Sequence, residues 1–283
     1  MATAAPTSNC AALPVFRHEQ EGVTVEIGGI PIRLRVESPN FCRLIEKRYA
    51  DFLNPLVATQ CHFDIQLKPR SEPSDQPAQV ERHGSEWSLE RGDFHARWDA
   101  RTRRGWIRQS ANPYSLDTLL RIVHSLVLAD EGGFLVHAAS AVRNGRAFLF
   151  AGVSGAGKTT MARFAPPDVT VLTDEISYLR PNGPDGNGYL AYGTPFAGEL
   201  ARVGANLSAP VETIFLLEQG SENRIEPVGS VAATQALLRH ILFFARDPDM
   251  VTKVFASAMA LVSRVTVKKL VFRREARAWD LVR

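Results

Sequence analysis

The sequence is poor in cysteine. Its 283 residues include three, Cys10, Cys42 and Cys61. An odd count without C-x-x-C spacing excludes a disulfide framework and a zinc site, and fits a reducing compartment. An excess of one charge is also missing. The 33 Lys+Arg are met by 30 Asp+Glu, too even a balance to point to nucleic acid. No uncharged apolar run reaches the roughly 20 residues that a membrane-spanning helix needs. The nearest, 241–262, is interrupted by Arg246, Asp247, Asp249 and Lys253. The opening residues, 1–13, lack a charged segment followed by an apolar one, so no signal peptide is expected. These absences predict a cytoplasmic protein with no membrane and no nucleic acid among its partners. What is present is ordinary globular composition, 45% hydrophobic and 22% charged, enough to bury a core.

Along the chain, Val23, Val25 and Ile27 alternate with polar residues. So do Ile30, Ile32, Leu34 and Val36, and Gly28-Gly29 lies between the two runs, which predicts a hairpin. A short amphipathic helix is expected over 41–52 and a strand over 63–67. The Pro/Ser-rich stretch 69–79 reads as a loop. Short alternating runs at 87–90, 94–98 and 104–107 predict a β-meander. After Pro113 the character changes. Ser115 is placed to cap a helix with apolar positions Leu116, Leu119, Leu120, Val123, Leu126 and Val127, ending at Gly132-Gly133. Strands are expected at 134–136, 146–151, 169–172, 211–217 and 265–272, and helices at 231–244 and 249–262. The expected domains are a β-rich region, 1–112, and a nucleotide-binding region, 113–283. The basic C-terminal stretch around Arg273, Arg274 and Arg277 reads as a solvated face.

One segment carries specific chemistry. Gly152, Val153, Ser154, Gly155, Ala156, Gly157, Lys158 and Thr159 match G-x-x-x-x-G-K-[ST] at every fixed position. The glycines let the backbone curl so that N–H groups point at phosphate oxygens. Lys158 supplies a point charge, and Thr159 a hydroxyl for magnesium. Thr160 continues into a helix whose positive end faces the anion. A buried-strand pattern precedes the loop, as the motif requires. The ligands expected are therefore ATP and Mg2+. The apolar run 169–172 ends at Asp174-Glu175, acids where magnesium coordination needs them.

Taken in order, four marks resemble the HPr kinase/phosphorylase superfamily and its shorter relatives, which share a P-loop core with ATP-dependent phosphoenolpyruvate carboxykinases. These are Val136-His137-Ala138-Ala139, with the histidine fifteen residues before Gly152; the loop itself; Asp174-Glu175; and Gly193-Thr-Pro-Phe-Ala-Gly-Glu199. The resemblance covers residues 130–272. It departs in reading Asp-Glu where the family has Asp-Asp, and in lacking the Arg-Gly that follows the family's later glutamate, which turns the expected acceptor away from HPr itself.

The resemblance implies an α/β fold with a P-loop kinase core of the HPr kinase/PEP carboxykinase type, preceded by a β-rich α+β amino-terminal region. It also implies that Asp174 is the catalytic base, with Glu175 holding metal or water, although the residues themselves leave the two roles open. His137 is expected to bond the acids or the γ-phosphate, and Glu199 to join Thr159 and Glu175 around the metal. Arg239 is expected to meet the transferred phosphoryl, with Arg202 and Arg246 as alternatives. The expected activity is that of a serine/threonine kinase acting on a small protein or peptide, such as a peptide-maturation precursor. Small-molecule kinase activity, or a slow ATP-binding module that holds a partner through its amino-terminal part, remains open. Relatives of the family often form homo-oligomers.

Overall fold

The computed structural model describes residues 22–69, 74, 76–183, 187–200 and 204–283. Cys10 and Arg202 lie outside them. The first sheet begins as the glycine pair dictates. Gly28 and Gly29 both have positive φ, 63° and 70°, the geometry of a two-residue hairpin turn. They join β1 (Gly22–Ile27) to β2 (Ile30–Val36) in antiparallel register. Ser38 then caps α1 (Pro39–Arg48), accepting from the Phe41 amide, with Pro39 in the first turn where its missing N–H costs nothing. Strand β3 (Cys61–Leu67) follows, and then the meander β4 (Gln79–His83), β5 (Glu86–Arg91), β6 (Phe94–Asp99) and β7 (Arg104–Gln109). The sheet order is β1-β2-β3-β7-β6-β5-β4.

Helix α2 (Pro113–Asp130) is buried over most of its length, including its polar Asp117, His124 and Ser125. Its cap is Asn112, which accepts from the Tyr114 amide, and not Ser115. The Ser115 hydroxyl instead donates to Asp93 at 2.6 Å, a tertiary bond that the local pattern could not reveal. Leu119, Leu120, Val123 and Leu126 share one core with the inner face of the first sheet and with Leu135, Ile176, Tyr178 and Phe196 from the second half of the chain. Asp117 fixes α1 to this helix by accepting from the Arg48 guanidinium and, at 2.6 Å, from the Tyr49 hydroxyl.

The second sheet comprises nine strands: β8 (Phe134–Arg143), β9 (Arg146–Ala151), β10 (Val169–Thr173), β11 (Ile176–Pro181), β12 (Tyr189–Tyr192), β13 (Ser208–Gln219), β14 (Arg224–Pro227), β15 (Ile241–Leu242) and β16 (Thr266–Phe272). Three helices accompany it: α3 (Lys158–Arg163), α4 (Ser230–Leu238) and α5 (Pro248–Arg264). Its pairings close on themselves, from β8 to β9, β13, β12, β11 and back to β8.

This corrects the expected α/β kinase core. Strands dominate, and the sheet is mixed and largely antiparallel. Among the described residues its only parallel pairings are β9 with β13 and β13 with β16. The physical reason lies in the connections. Asn144-Gly145, both at positive φ, turn β8 directly into β9 and leave no room for a crossover helix. A buried apolar run reads the same in a parallel and in a mixed sheet. The helix expected over 231–244 also stops early, at Leu238. Residues 241–242 extend instead, because the edge of β8 offers Leu135 and Val136 as ladder partners. No helix among the described residues is long and apolar enough to cross a membrane.

Candidate functional site

Strand β9 delivers the chain into the glycine-rich loop from the middle of the second sheet. Gly155 and Gly157 take φ of 79° and 113°, conformations that L side chains rarely adopt. At Gly157 space is also lacking: a Cβ there would lie 2.5 Å from the ring of buried Phe272. The loop is gripped from outside, since the Gly155 carbonyl accepts from Gln219 Nε2 at 2.5 Å and from an Arg274 guanidinium nitrogen at 2.8 Å. Lys158 turns back inside, and its Nζ donates to the carbonyls of Gly152 at 2.8 Å and Val153 at 3.2 Å. No carboxylate among the described residues comes within 4.0 Å of it. Burial lowers the lysine pKa, opposed by the charges of Glu199 and Glu175. Helix α3 spans six residues, so the loop amides and Lys158, more than a long helix dipole, make this an anion site.

The acids face the loop from a break in the sheet. Strands β10 and β11 both run antiparallel to β8, and the ladder lapses between them at Asp174-Glu175, next to the rung that joins Ile176 to His137. The two carboxylates have different surroundings. Asp174 is buried, and its oxygens accept the backbone amides of Gly198 at 2.9 Å and Leu200 at 3.0 Å. Glu175 is partly open and lies 4.0 Å from Arg121 of α2. Its pKa is raised by burial and by the charges of Asp174 and Asp117, against the pull of Arg121 and Lys158. His137 is half-buried, and its backbone amide donates to the His240 carbonyl at 2.7 Å. Burial, Lys158, His240 and Arg121 all lower its pKa, so the imidazole is neutral at pH 7 and can act as a hydrogen-bond partner.

These elements enclose one polar cleft of about 450 Å³. Among the expected residues, His137, Ser154, Gly155, Gly157, Lys158, Thr159, Thr160, Asp174, Glu175 and Glu199 line it. Gly152, Val153 and Ala156 shape the loop without lining the cleft. Arg239 and Arg246 are exposed and do not line it. The cleft arginines are Arg163 and Arg274, which the sequence reading had not assigned to the site. Arg163 could have been suspected, since it lies five residues after Lys158 on the helix that leaves the loop. Arg274 could not, because only the pairing of β16 with β13 brings it across.

The donor set suits the expected ligands. Among the described residues no group of three or more His, Cys, Asp or Glu could hold a metal ion without help. Magnesium does not need one, since it binds through one or two protein groups together with substrate phosphates. The Thr159 hydroxyl and Glu199 both line the cleft. For a polyphosphate, the curled loop and an ammonium bonded only to neutral carbonyls form a fitting cradle.

A family model described as "SynChlorMet cassette protein ScmC" matches residues 111–282, more than half of the chain. No curated protein matches it.

Proposed function

We propose that this chain, which belongs to the SynChlorMet cassette protein ScmC family, is an ATP-dependent phosphotransferase that moves the γ-phosphoryl group to a Ser or Thr hydroxyl of a small protein or peptide. The observation that carries this reading is Lys158, an ammonium only 8% exposed, set in a polar cleft with carbonyls and no carboxylate against it. A largely buried cation with no carboxylate in contact is costly, and a triphosphate is the anion that a glycine-rich loop of this shape can cradle. The four ordered marks that resemble those of HPr kinase/phosphorylase proteins support a hydroxyl acceptor on a polypeptide.

The chemistry divides among named groups. Lys158 and the loop amides bind the phosphates. Thr159 and Glu199 would hold magnesium, which when bound would supply neutralisation of phosphate charge. Glu175 takes the proton as the acceptor O–H bond breaks, an O–P bond forms and ADP leaves. Its raised pKa suits a base working near neutrality. Asp174 holds the Gly198–Leu200 backbone against the site, so its two oxygens are committed to that loop. His137 supplies a neutral donor. Arg163 and Arg274 take the part expected of Arg239, meeting charge on the transferred group.

The test is incubation of the purified protein with magnesium and γ-labelled ATP, together with the polypeptides encoded beside it. Label should appear on a Ser or Thr and vanish with Lys158→Ala. Labelling that survives after Lys158→Ala has lost nucleotide binding would refute the assignment.

A further inference from the structure

The first sheet has two faces, and the core uses one of them. Ile32, Leu34, Phe63, Ile65, Ala96 and Ile107 are buried on the side that packs with α2. Residues one step out of phase point the opposite way. On the four central strands, β2, β3, β7 and β6, these positions carry Arg33, Arg35, Arg104, Arg108 and Arg97 against two carboxylates, Asp64 and Asp99. Both carboxylates are already engaged. Asp64 accepts from Arg35 at 2.6 Å. Asp99 accepts from the Ser85 hydroxyl and the amides of Arg101 and Thr102. Arg97 pairs with Glu86 on β5 at 2.7 Å. That leaves Arg33, Arg104 and Arg108 with no carboxylate within 4.0 Å among the described residues. Arg33 donates to the Thr24 hydroxyl, and Arg108 to the Gln66 side-chain oxygen.

This arrangement brings the fold little stability. Arg33, His62 and Arg104 form one row across three strands, so two arginines flank an imidazole with no carboxylate between them. The field is felt by the neighbouring imidazoles. His62 is held below its ordinary pKa by burial and by Arg104 and Arg35, and His95 by burial with Arg97 and Arg108. Trp106 lies half exposed among the arginines, with the His95 ring edge-on at 4.8 Å.

We propose that this face docks an acidic, extended segment of the polypeptide substrate; the word substrate rests on the phosphotransferase reading above. Alternate carboxylates of an extended chain lie about 6.8 Å apart, against about 10 Å from Arg33 to Arg104 across one intervening strand, a span that long guanidinium side chains close. Each guanidinium can grip a carboxylate with two parallel bonds, and Trp106 offers the apolar floor. Nucleic acid fits less well. Glu26 on β1 and Glu86 and Glu90 on β5 border the patch, so the attractive surface is narrow and suits one short acidic segment better than a long polyanion. A single aromatic ring is also a poor platform for stacked bases. The face lies on the opposite side of the sheet from α2, whose Arg121 reaches towards Glu175. The docking segment and the phosphorylated hydroxyl therefore belong to different parts of the substrate, and docking raises the effective concentration of the second.

The test is fluorescence anisotropy of the full chain with a fluorescein-labelled peptide of alternating Glu and Ser, alongside a single-stranded oligothymidylate of equal charge. The wild type should bind the peptide, more weakly as salt rises. The triple variant Arg33→Gln, Arg104→Gln, Arg108→Gln should lose about tenfold in affinity. A charge-matched variant elsewhere on the surface, Arg146→Gln, Arg264→Gln, Arg277→Gln, should bind as the wild type does. No binding of the peptide, equal losses in both variants, or tighter binding of the oligothymidylate would overturn the proposal. Calorimetry with Mg-ATP separates the two readings. A wild type that takes the peptide but not the nucleotide sinks the phosphotransferase assignment, and one that takes the nucleotide but not the peptide sinks this one.

Discussion

Replacing Asp174 with asparagine should loosen the loop that the carboxylate holds. In the structure each carboxylate oxygen accepts one backbone amide, from Gly198 and from Leu200. Asparagine has the same size but only one acceptor, and its amide nitrogen would face the second N–H. One bond to a charged acceptor is lost and one buried donor is orphaned, at a combined cost of about 2–3 kcal/mol. Every 1.4 kcal/mol is a factor of ten, so amide exchange at Gly198 and Leu200 should speed up by roughly 30- to 150-fold. Hydrogen exchange followed by mass spectrometry reads this directly and needs no knowledge of the acceptor. Glu175→Gln is the control. It removes the proposed base, yet no amide of that loop bonds to Glu175, so exchange there should stay as in the wild type. Unchanged exchange in Asp174→Asn, or equal acceleration in both variants, would refute the division of roles between the two acids. Phosphoryl transfer should fall in both variants, through displacement of the Glu199 loop in one and loss of the proton acceptor in the other.

Two further outcomes follow from single positions. Gly157→Ala combines a strained positive φ with a Cβ 2.5 Å from the Phe272 ring, at about 2–4 kcal/mol. It should lower the melting temperature and abolish Mg-ATP binding by calorimetry, whereas Gly155→Ala, with nothing within 4 Å of its Cβ, should show the φ strain alone. His124 is fully buried against Tyr178, and burial lowers its pKa from 6.5 to about 4. Between those values the unfolded chain binds the proton and the folded chain does not. Stability therefore rises with pH across that window and is lost as pH falls from 6.5 towards 4, by about 3 kcal/mol in all. Urea unfolding at stepped pH should show this slope, and His124→Asn should flatten it.

The glycine-rich loop over 152–159 could be read from the chain alone because its signals are contiguous. Strand, glycines, lysine and threonine follow one another, and the conformation they need is written in residue type. The hairpin at Gly28-Gly29 and the buried helix over 113–130 were legible for the same reason: turn chemistry and apolar period are local signals. The cap of that helix was not, since whether Ser115 or Asn112 serves depends on Asp93, which waits in the turn between β5 and β6. Sheet topology was hidden too. Apolar runs such as 146–151 and 211–217 declare that they are buried strands but not which strand lies beside them, so a mixed sheet with a closed set of pairings looked like an alternating α/β core. The different surroundings of Asp174 and Glu175 were likewise decided in space, because adjacent residues of the same charge differ only in what the fold sets against them, two backbone amides for one and Arg121 for the other. The resemblance pointed to Arg239 for the phosphoryl-facing cation, whereas tertiary pairing of β13 with β16 put Arg274 beside a carbonyl 119 residues earlier in the chain. Local backbone preference acts over a few residues, and the sequence can state it. The partners of a buried or charged group come from anywhere in the chain, and only packing settles which ones arrive.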